Sequence, residues 1–202
     1  MCIRDSNNPN DIFSSQWNQL ELAVKEAKHN YHLFALSTID RDSSDIRTVV
    51  LRSVNKKYHS ISFHTDIRSP KFKQITKNPN VSVLFYDVQA RTQIRIIGTA
   101  SICGDEDMLK SLWERLSKES KECYMGEIAP SGPLHGKKTI NEIKETNPDD
   151  GYNNFARVTI HVSKMDVLLL HHLGHRRIEF KLGGKRPLHP VSYTHLTLPT
   201  KA

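Results

Sequence analysis

Apolar and polar residues alternate along the middle of the chain, with the period of two that a half-buried β-strand produces. In residues 91–102, Gln93 and Arg95 are predicted to point to one face of a sheet and Ile94 to the other. Gly98, inside the same run, marks a bulge or a close backbone approach. The pattern predicts strands over residues 31–39, 46–54, 58–64, 80–88, 91–102, 154–164, 166–172 and 175–182.

Three other stretches carry the helical spacing of apolar residues. The first covers residues 14–29, and Ser14 or Ser15 is placed to cap it. The second is short and covers residues 69–77. The third covers residues 105–120, and its apolar face consists of Leu109, Leu112, Trp113 and Leu116.

Most of the predicted strands are neighbours in sequence and are joined by short links, which favours antiparallel pairing. Closing such a sheet into a barrel removes its exposed edges. Residues 125–153 are polar and rich in Gly, Pro and Asn, so we predict a loop there with one short helix over 138–145. The fold class is therefore α+β and mainly β: an antiparallel barrel with peripheral helices.

The two ends of the chain differ in sequence from the rest of it. MCIRDS at the start and VSYTHLTLPTK near the end resemble translated adapter DNA from sequencing libraries. Segments of that kind carry no information about the fold. We therefore assign a single domain to residues 7–190 and treat residues 1–6 and 191–202 as artefactual tails.

The chain is basic, with a formal net charge of +7 and an isoelectric point near 9.3. Such a charge suits nucleic acid, acidic membranes or phosphorylated small molecules as partners. The basic residues are spread along the chain, which favours a solvated basic surface over a nucleic-acid site. No apolar run approaches the roughly 20 residues that cross a bilayer, and no export signal is evident, so we expect a cytoplasmic protein without a membrane partner.

Cysteine and histidine residues do not indicate a metal site. Cys103 and Cys123 have no metal-like spacing, and without an export signal they are expected to be free thiols. His171, His172 and His175 are close in sequence, but no acidic or cysteine partner stands at ligand spacing. We therefore predict no metal.

The segment FHTDIRSPKFKQI runs from a strand into a helix and has the features of an anion site. Ser69 is placed to cap the helix, Pro70 suits its first position, and Lys71 lies in its first turn. A helix N-terminus offers unpaired N–H groups and the positive end of a dipole. Thr65 adds a hydroxyl, and Arg47 lies on a strand predicted to be a neighbour. These residues fit a phosphate pocket, and also a capped surface helix with solvated lysines.

Four motifs, in the same order and with similar gaps, resemble the pyridoxamine 5′-phosphate oxidase family. They are R-T-V-V-L-R at 47–52, F-H-T-D-x-R-S-x-K at 63–71, N-P-x-V-S-V-L-F at 78–85 and Q-I-R-I-I-G at 93–98. The resemblance implies an FMN-binding split β-barrel that works as a homodimer, with FMN at the subunit interface. It also implies an FMN-dependent oxidoreductase that transfers a hydride at the flavin N5 and acts on a small anionic substrate.

The same resemblance assigns roles to individual residues. Arg47, Ser69 and Lys71 would bind the FMN phosphate, and His64 stands where the family often has tyrosine. The cofactor-binding residues implied in this way are Arg47, Thr48, Val49, Val50, Leu51, His64, Thr65, Ser69, Lys71, Gln93 and Arg177. The substrate-binding residues implied are Arg52, Lys121 and His175.

The substrate half departs from the family's pattern. Pro70 stands where the vitamin-B6 oxidases usually have a second basic phosphate ligand. Leu173 stands where they have a substrate arginine, and Val167 where they have a flavin-side tryptophan. The sequence therefore indicates the broad FMN-binding branch of the family, with pyridoxamine or pyridoxine 5′-phosphate as one candidate substrate and no assigned catalytic residue. A non-catalytic flavin or haem carrier of the same fold is the alternative.

Overall fold

The computed structural model of the chain describes residues 8–126, 129–131, 148–172, 174–182 and 191–194. Its helices are α1 (Pro9–Lys25), α2 (Pro70–Lys77), α3 (Glu106–Glu114) and α4 (Lys118–Met125), followed by a 3₁₀ helix (Pro148–Asn154). Its strands are β1 (Leu33–Asp40), β2 (Ser43–Val50), β3 (Ser53–Asn55), β4 (Ser60–Asp66), β5 (Asn80–Asp87), β6 (Thr92–Ile102), β7 (Phe155–Leu169), β8 (Arg176–Lys181) and β9 (Val191–Thr194). The helix predicted over 138–145 lies outside the described residues.

The strands form one antiparallel sheet whose main path is β2-β1-β5-β6-β7-β4-β3. Leu51 and Arg52 separate the first strand of this path, β2, from the last, β3, and so divide the strand predicted over 46–54. The Leu51 N–H donates to the carbonyl of His32, next to β1, at 2.9 Å. The Arg52 N–H donates to the carbonyl of Ser62 in β4 at 2.8 Å. This bend joins the two ends of the path and closes the sheet into a barrel.

The long strand β7 belongs to two parts of the sheet. It is 15 residues long, and its first half pairs with β4 inside the barrel. Its second half pairs with β8, which pairs in turn with β9. The sheet therefore splits at β7. Val191–Thr194, which lies in the predicted tail, forms β9, and the domain boundary at residue 190 stays a prediction.

Three phenylalanines fill the barrel interior. The ring centroid of Phe34 lies 5.0 Å from that of Phe85 and 6.1 Å from that of Phe63, and all three side chains are buried. Along β6, buried and exposed residues alternate from Thr92 to Ala100, which confirms the predicted facing of that strand. Burial of these apolar side chains is the main source of the barrel's stability.

The helices pack around the barrel. α1 contacts β3, α2 contacts β1 and β6, α3 contacts β7, and α4 contacts the 3₁₀ helix. No helix in the described part of the chain is long and apolar enough to cross a membrane. Cys103 and Cys123 are free thiols, as predicted.

The first helix begins earlier than predicted. Asn8 caps α1 through its side-chain oxygen, which accepts from the Asn10 N–H at 3.0 Å. Pro9 takes the first helical position, where its missing N–H is not needed. The prediction that Ser14 or Ser15 caps the helix is therefore wrong, because both lie inside it.

Two other predicted boundaries are also wrong. The helix predicted over 105–120 is divided into α3 and α4, because the Ser117 hydroxyl accepts from the Ser120 N–H at 3.3 Å and starts a new helix. The strands predicted over 154–164 and 166–172 are the single strand β7.

A β-bulge explains why the sequence pattern predicts two strands where the structure has the single strand β7. Ile97 of β6 pairs with Lys164, whereas the next residue, Gly98, pairs with Val162. Ser163 is therefore an extra residue on β7, and its hydroxyl donates to the Ile97 carbonyl at 3.0 Å. The polar pair Ser163–Lys164 belongs to a bulge and not to a turn between strands.

Replacing Gly98 by alanine is expected to destabilise the barrel at this bulge. A Cβ atom there would lie 2.3 Å from the backbone oxygen of His161, so the two strands would have to move apart. Overpacking of this kind costs about 1–3 kcal/mol. Urea unfolding of Gly98→Ala should show that loss. Gly104→Ala is the control, because its Cβ would meet nothing within 4 Å; equal stability of the two variants would contradict the close approach.

Candidate functional site

Arg47 lies on the inner face of β2, directly opposite the buried Leu36 of β1, and its side chain is 18% exposed. Its Nη2 atom contacts Asp45 Oδ2 at 2.5 Å and donates to Gln74 Oε1 at 3.0 Å. Its Nη1 atom donates to Thr38 Oγ1 at 2.5 Å and to the Leu36 carbonyl at 3.4 Å. Contacts from two strands and one helix therefore hold the guanidinium.

Gln74 of α2 links the other members of this network. It is 7% exposed, and its Oε1 also accepts from the Thr38 hydroxyl at 2.6 Å. Its Nε2 donates to Asp45 Oδ2 at 3.0 Å. Sequence reasoning missed Gln74, Thr38 and Asp45. One available signal was that Gln74 lies three residues after Lys71, which places both on one face of the helix.

Lys71 brings a second positive charge to the start of α2. The residue is half-buried, and burial lowers the pKa of its ammonium group. The charge of Arg47 lowers that pKa further, while Asp66 and Asp45 raise it. Two cations that are far apart in the sequence are thus close enough to interact electrostatically beside the positive end of a helix.

The hydroxyls of Thr65 and Ser69 lie together and are buried. Their oxygen atoms are 3.2 Å apart, and the side chains are 3% and 0% exposed. The Ser69 hydroxyl donates to the Asp66 carbonyl at 2.6 Å. Ser69 does occupy the N-cap position of α2, but the prediction that its side chain caps the helix is wrong, because the hydroxyl is directed to that carbonyl. The first N–H groups of α2 therefore receive no side-chain cap.

The end of β2 contains the next group of predicted cofactor residues. Thr48 is exposed, Val49 is buried on the inner face and Val50 is half-buried. Leu51 is fully buried, and its N–H is already hydrogen-bonded to His32. The Leu51 N–H is therefore not free to bind a ligand.

His64 is a largely buried imidazole on the outer face of β4. Its ring meets that of Phe155 edge to face, with the centroids 4.8 Å apart. Its Nδ1 atom is buried and has no hydrogen-bond partner in the described part of the chain. Burial, followed by the charges of Arg52 and Arg157, lowers the pKa of His64 to about 4. The imidazole is therefore neutral at pH 7.

The two arginines near this imidazole differ in their contacts. Arg52 is exposed and is the second residue of the bend that closes the barrel. Arg157 donates to the hydroxyls of Ser62 at 3.3 Å and Ser53 at 3.1 Å, and to the sulfur of Met108 at 2.9 Å. In the described residues, the hydrogen-bond partners of Arg157 are thus all neutral.

Lys121, which was predicted to bind substrate, contacts an aromatic ring. Its Nζ lies 5.4 Å from the ring centroid of Trp113, a cation–π arrangement. Tyr124, one turn further along α4, packs edge to face against the same Trp113, and burial raises the pKa of its hydroxyl to about 12. Within the described chain, Lys121 makes no contact with another predicted site residue.

Gln93 and Arg177 lie in one row across three strands. Both pair directly with Leu168 of β7, from β6 and β8 respectively, so all three side chains share the outer face. The Arg177 guanidinium is bound to Asp166, with Nε 3.1 Å from Oδ1 and Nη2 2.6 Å from Oδ2. Arg95 contacts the same carboxylate at 2.5 Å. Burial opposes ionisation of Asp166, but hydrogen bonds from the two arginines lower its pKa.

The remaining predicted positions lie near β8. His175 precedes this strand, and its Nδ1 accepts from the His171 N–H at 3.3 Å. Leu173 lies outside the described residues. Val167 is fully buried and pairs with Ile94, so its side chain points into the barrel and away from the face that carries Gln93.

Acid is expected to destabilise the protein through His64. The pKa is about 4 in the folded protein against an ordinary value of 6.5, so the unfolded chain binds the proton more tightly. The contribution of the neutral His64 to the free energy of unfolding is fully present above pH 6.5. It is lost as the pH drops towards 4, by up to about 3 kcal/mol. Urea unfolding between pH 7.5 and pH 4 should show this loss, with a smaller loss in His64→Asn. An identical pH dependence in that variant would contradict the buried position of the imidazole.

Comparison with known proteins agrees with the barrel and with the motifs. Residues 14–104 match the family model described as pyridoxamine 5′-phosphate oxidase, FMN-binding domain. The pyridoxine/pyridoxamine 5′-phosphate oxidase of Leptospira interrogans is 29% identical over 193 residues, which cover 93% of this chain and 82% of the relative. The enzyme of the same name from Rhodopseudomonas palustris is 32% identical over 101 residues, or 50% of this chain. The chain spans about half, 45%, of the length of that relative.

Solved structures share the fold at low sequence identity. A pyridoxamine 5′-phosphate oxidase-related, FMN-binding protein from Nostoc punctiforme superposes with a TM-score of 0.74 at 18% identity, covering 93% of this chain and 98% of the other. PhzG from Burkholderia lata gives a TM-score of 0.72 at 16% identity, covering 95% and 94%. These structures confirm the predicted split barrel. The chain is thus similar to the pyridoxine/pyridoxamine 5′-phosphate oxidases, and its residues 14–104 match the model of their FMN-binding domain.

Proposed function

We propose that the protein is an FMN-dependent oxidoreductase that binds the phosphate of FMN at the start of α2. The observation that supports this most is the pairing of two cations, Arg47 and Lys71, beside the N-terminus of that helix. Like charges held together are unfavourable, and a phosphate dianion between them would offset the repulsion. The family match supports FMN as the cofactor, because the matched model describes an FMN-binding domain.

Uncharged donors would complete the phosphate site. Thr65 and Ser69 have buried hydroxyls next to the first turn of α2. The N–H groups of Lys71 and Phe72 belong to that turn and are not capped by the Ser69 side chain. A helix N-terminus with free N–H groups favours a bound anion. The chemistry of this set, two cations with hydroxyl and amide donors, fits a phosphate monoester.

The flavin ring would lie along the backbone from Val49 to Leu51, with His64 close by. The buried Nδ1 of His64 is available for a hydrogen bond to the cofactor. Gln93 and Arg177 share a row on the outer face at Leu168, whereas His64 pairs with Arg157 near the other end of β7. Gln93 and Arg177 would therefore approach the ring edge from the second subunit of a dimer. Bound FMN would supply a hydride acceptor at N5, while the chain would bind, orient and shield it.

We further propose a small anionic substrate. Arg52 is exposed beside the neutral His64, and Arg157 adds a second charge that no described carboxylate neutralises. Lys121 and His175 stay candidates for the far side of the substrate. Several relatives are named pyridoxine/pyridoxamine 5′-phosphate oxidase, so those two phosphates are the first substrates to test.

A homodimer is the proposed assembly, with its interface on the outer face of β1, β2, β5 and β6. Ile46, Leu84 and Ile97 are 64%, 39% and 46% exposed there, which is unusual for such apolar side chains. They line an open cavity of about 520 Å³. Contiguous exposed apolar residues mark sites of association.

The purified protein is expected to carry oxidised flavin, seen as visible absorption and as FMN released on heating. The double variant Arg47→Ala/Lys71→Ala should lose FMN affinity by about a hundredfold or more, since each charge-assisted contact contributes about 1.5–3 kcal/mol. Lys73→Ala is the matched control, because Lys73 is an exposed lysine of the same helix. Flavin titration by fluorescence quenching measures all three proteins.

Each failure of this experiment has a different meaning. Full retention of FMN by the double variant would overturn the phosphate site. A colourless wild type that also fails to bind added FMN would overturn the flavin function. The bound flavin should be tested under anaerobic conditions with pyridoxine 5′-phosphate, pyridoxamine 5′-phosphate and a wider panel of anionic reductants. If none of them bleaches the flavin, the result would contradict an oxidoreductase and favour a flavin carrier.

Light scattering is expected to give twice the chain mass of 23.2 kDa. Ile97→Glu should shift the protein to the monomer, because it places a charge in the proposed apolar interface. Tyr58→Glu is the control, since Tyr58 is also exposed, at 65%, but lies in the turn before β4. A wild type that scatters as a flavin-loaded monomer would contradict the dimer.

A further inference from the structure

The hydrogen-bond donors of Arg47 are almost all in use. A guanidinium has five N–H donors. Nη1 contacts Thr38 and the Leu36 carbonyl, and Nη2 contacts Gln74 and Asp45. These four contacts account for every donor of the two terminal nitrogens. A phosphate oxygen that binds at the end of this side chain must therefore replace one of the four acceptors or share its donor.

Three of the four acceptors are held in place. Thr38 is fully buried, Gln74 is 7% exposed, and the Thr38 hydroxyl donates to Gln74 at 2.6 Å. The Leu36 carbonyl belongs to the backbone of β1, which pairs on both sides. None of these groups can turn away without leaving a buried polar group unpaired, which is costly.

Asp45 differs from the other three acceptors. Its side chain is 45% exposed, so its carboxylate can turn into water. That movement frees one Arg47 donor and the Gln74 Nε2 donor, and both can then bind the oxygen of an incoming phosphate. Asp45 is also the one charged acceptor of the four, and a hydrogen bond from Gln74 followed by the charge of Arg47 lowers its pKa, which keeps it ionised at neutral pH. Asp45 is therefore negatively charged, as a phosphate is.

We infer that Asp45 competes with the phosphate of the ligand for Arg47 and so sets how strongly, and how selectively, this site binds phosphate esters. The inference rests on the proposed function and adds a selectivity residue to it. A phosphate dianion interacts with Arg47, Lys71 and the helix start together, so it can displace the single negative charge of Asp45. A ligand without a phosphate leaves the Asp45–Arg47 pair intact.

Asp45→Asn tests this competition because it removes the charge and keeps the shape. FMN should bind the variant about fivefold more tightly than wild type, the change typical of one partly exposed ion pair. Riboflavin, which has the same ring and no phosphate, should bind both proteins equally. Asp42→Asn is the matched control: Asp42 is an exposed acid of the same β1–β2 hairpin, and its removal changes the net charge equally.

Each result decides the inference. Unchanged or weaker FMN binding by Asp45→Asn would overturn it and make Asp45 a residue that positions Arg47. An equal gain in Asp42→Asn, or an equal gain for riboflavin, would also overturn it, since either would point to overall charge or to the ring. If the wild type binds neither flavin, the flavin function has failed. Inorganic phosphate then remains the probe, and it should raise the melting temperature of Asp45→Asn more than that of wild type.

Discussion

The backbone bend at Leu51 and Arg52 is the constraint on which the rest of the structure depends. Two consecutive N–H groups donate in opposite directions, one towards β1 and one to β4, and this closes the barrel. The segment from Arg47 to Arg52 also places one cation on each face of the barrel wall. Arg47, before the bend, lies on the inner face and meets α2, while Arg52, the second residue of the bend, is exposed near His64. Strand β4 also contributes one residue to each face: Thr65 is buried beside Ser69 at the start of α2, and His64 lies on the outer face.

The positively charged side chains form two classes that differ in whether they contact a carboxylate. Some arginines are bound to buried acids: Arg177 and Arg95 share Asp166, and Arg68 contacts Asp66 at 2.6 Å. Such pairs stabilise the fold, since a buried carboxylate without its arginines is costly. Arg177 is also 40% exposed, which leaves it accessible to a ligand. Lys71, Arg52 and Arg157, in contrast, contact no carboxylate within 4 Å in the described part of the chain. These three cations can meet an anionic ligand, and Arg47, whose acid partner is half-exposed, lies between the two classes.

The family match and the site geometry support the cofactor side more than the substrate side. The match ends at residue 104, so it contains the bend, β4 and the start of α2. Lys121 and His175 lie beyond it, and their described contacts are with Trp113 and His171.

The sequence by itself determined the features that depend on near neighbours in the chain. Alternation along β6, the close approach at Gly98 and the run from β4 into α2 follow from local patterns, and all three are present. Four short motifs were enough to predict the barrel.

Tertiary structure alone decided which partners those residues have. The network of Asp45, Thr38 and Gln74 around Arg47 joins two strands and a helix, and no local pattern relates them. The bulge that makes β7 one strand exists because β6 lies beside it. The physical reason is the same in each case. Local propensity selects the element, but the hydrogen bonds and charges of a side chain are satisfied by whatever the closed barrel brings next to it.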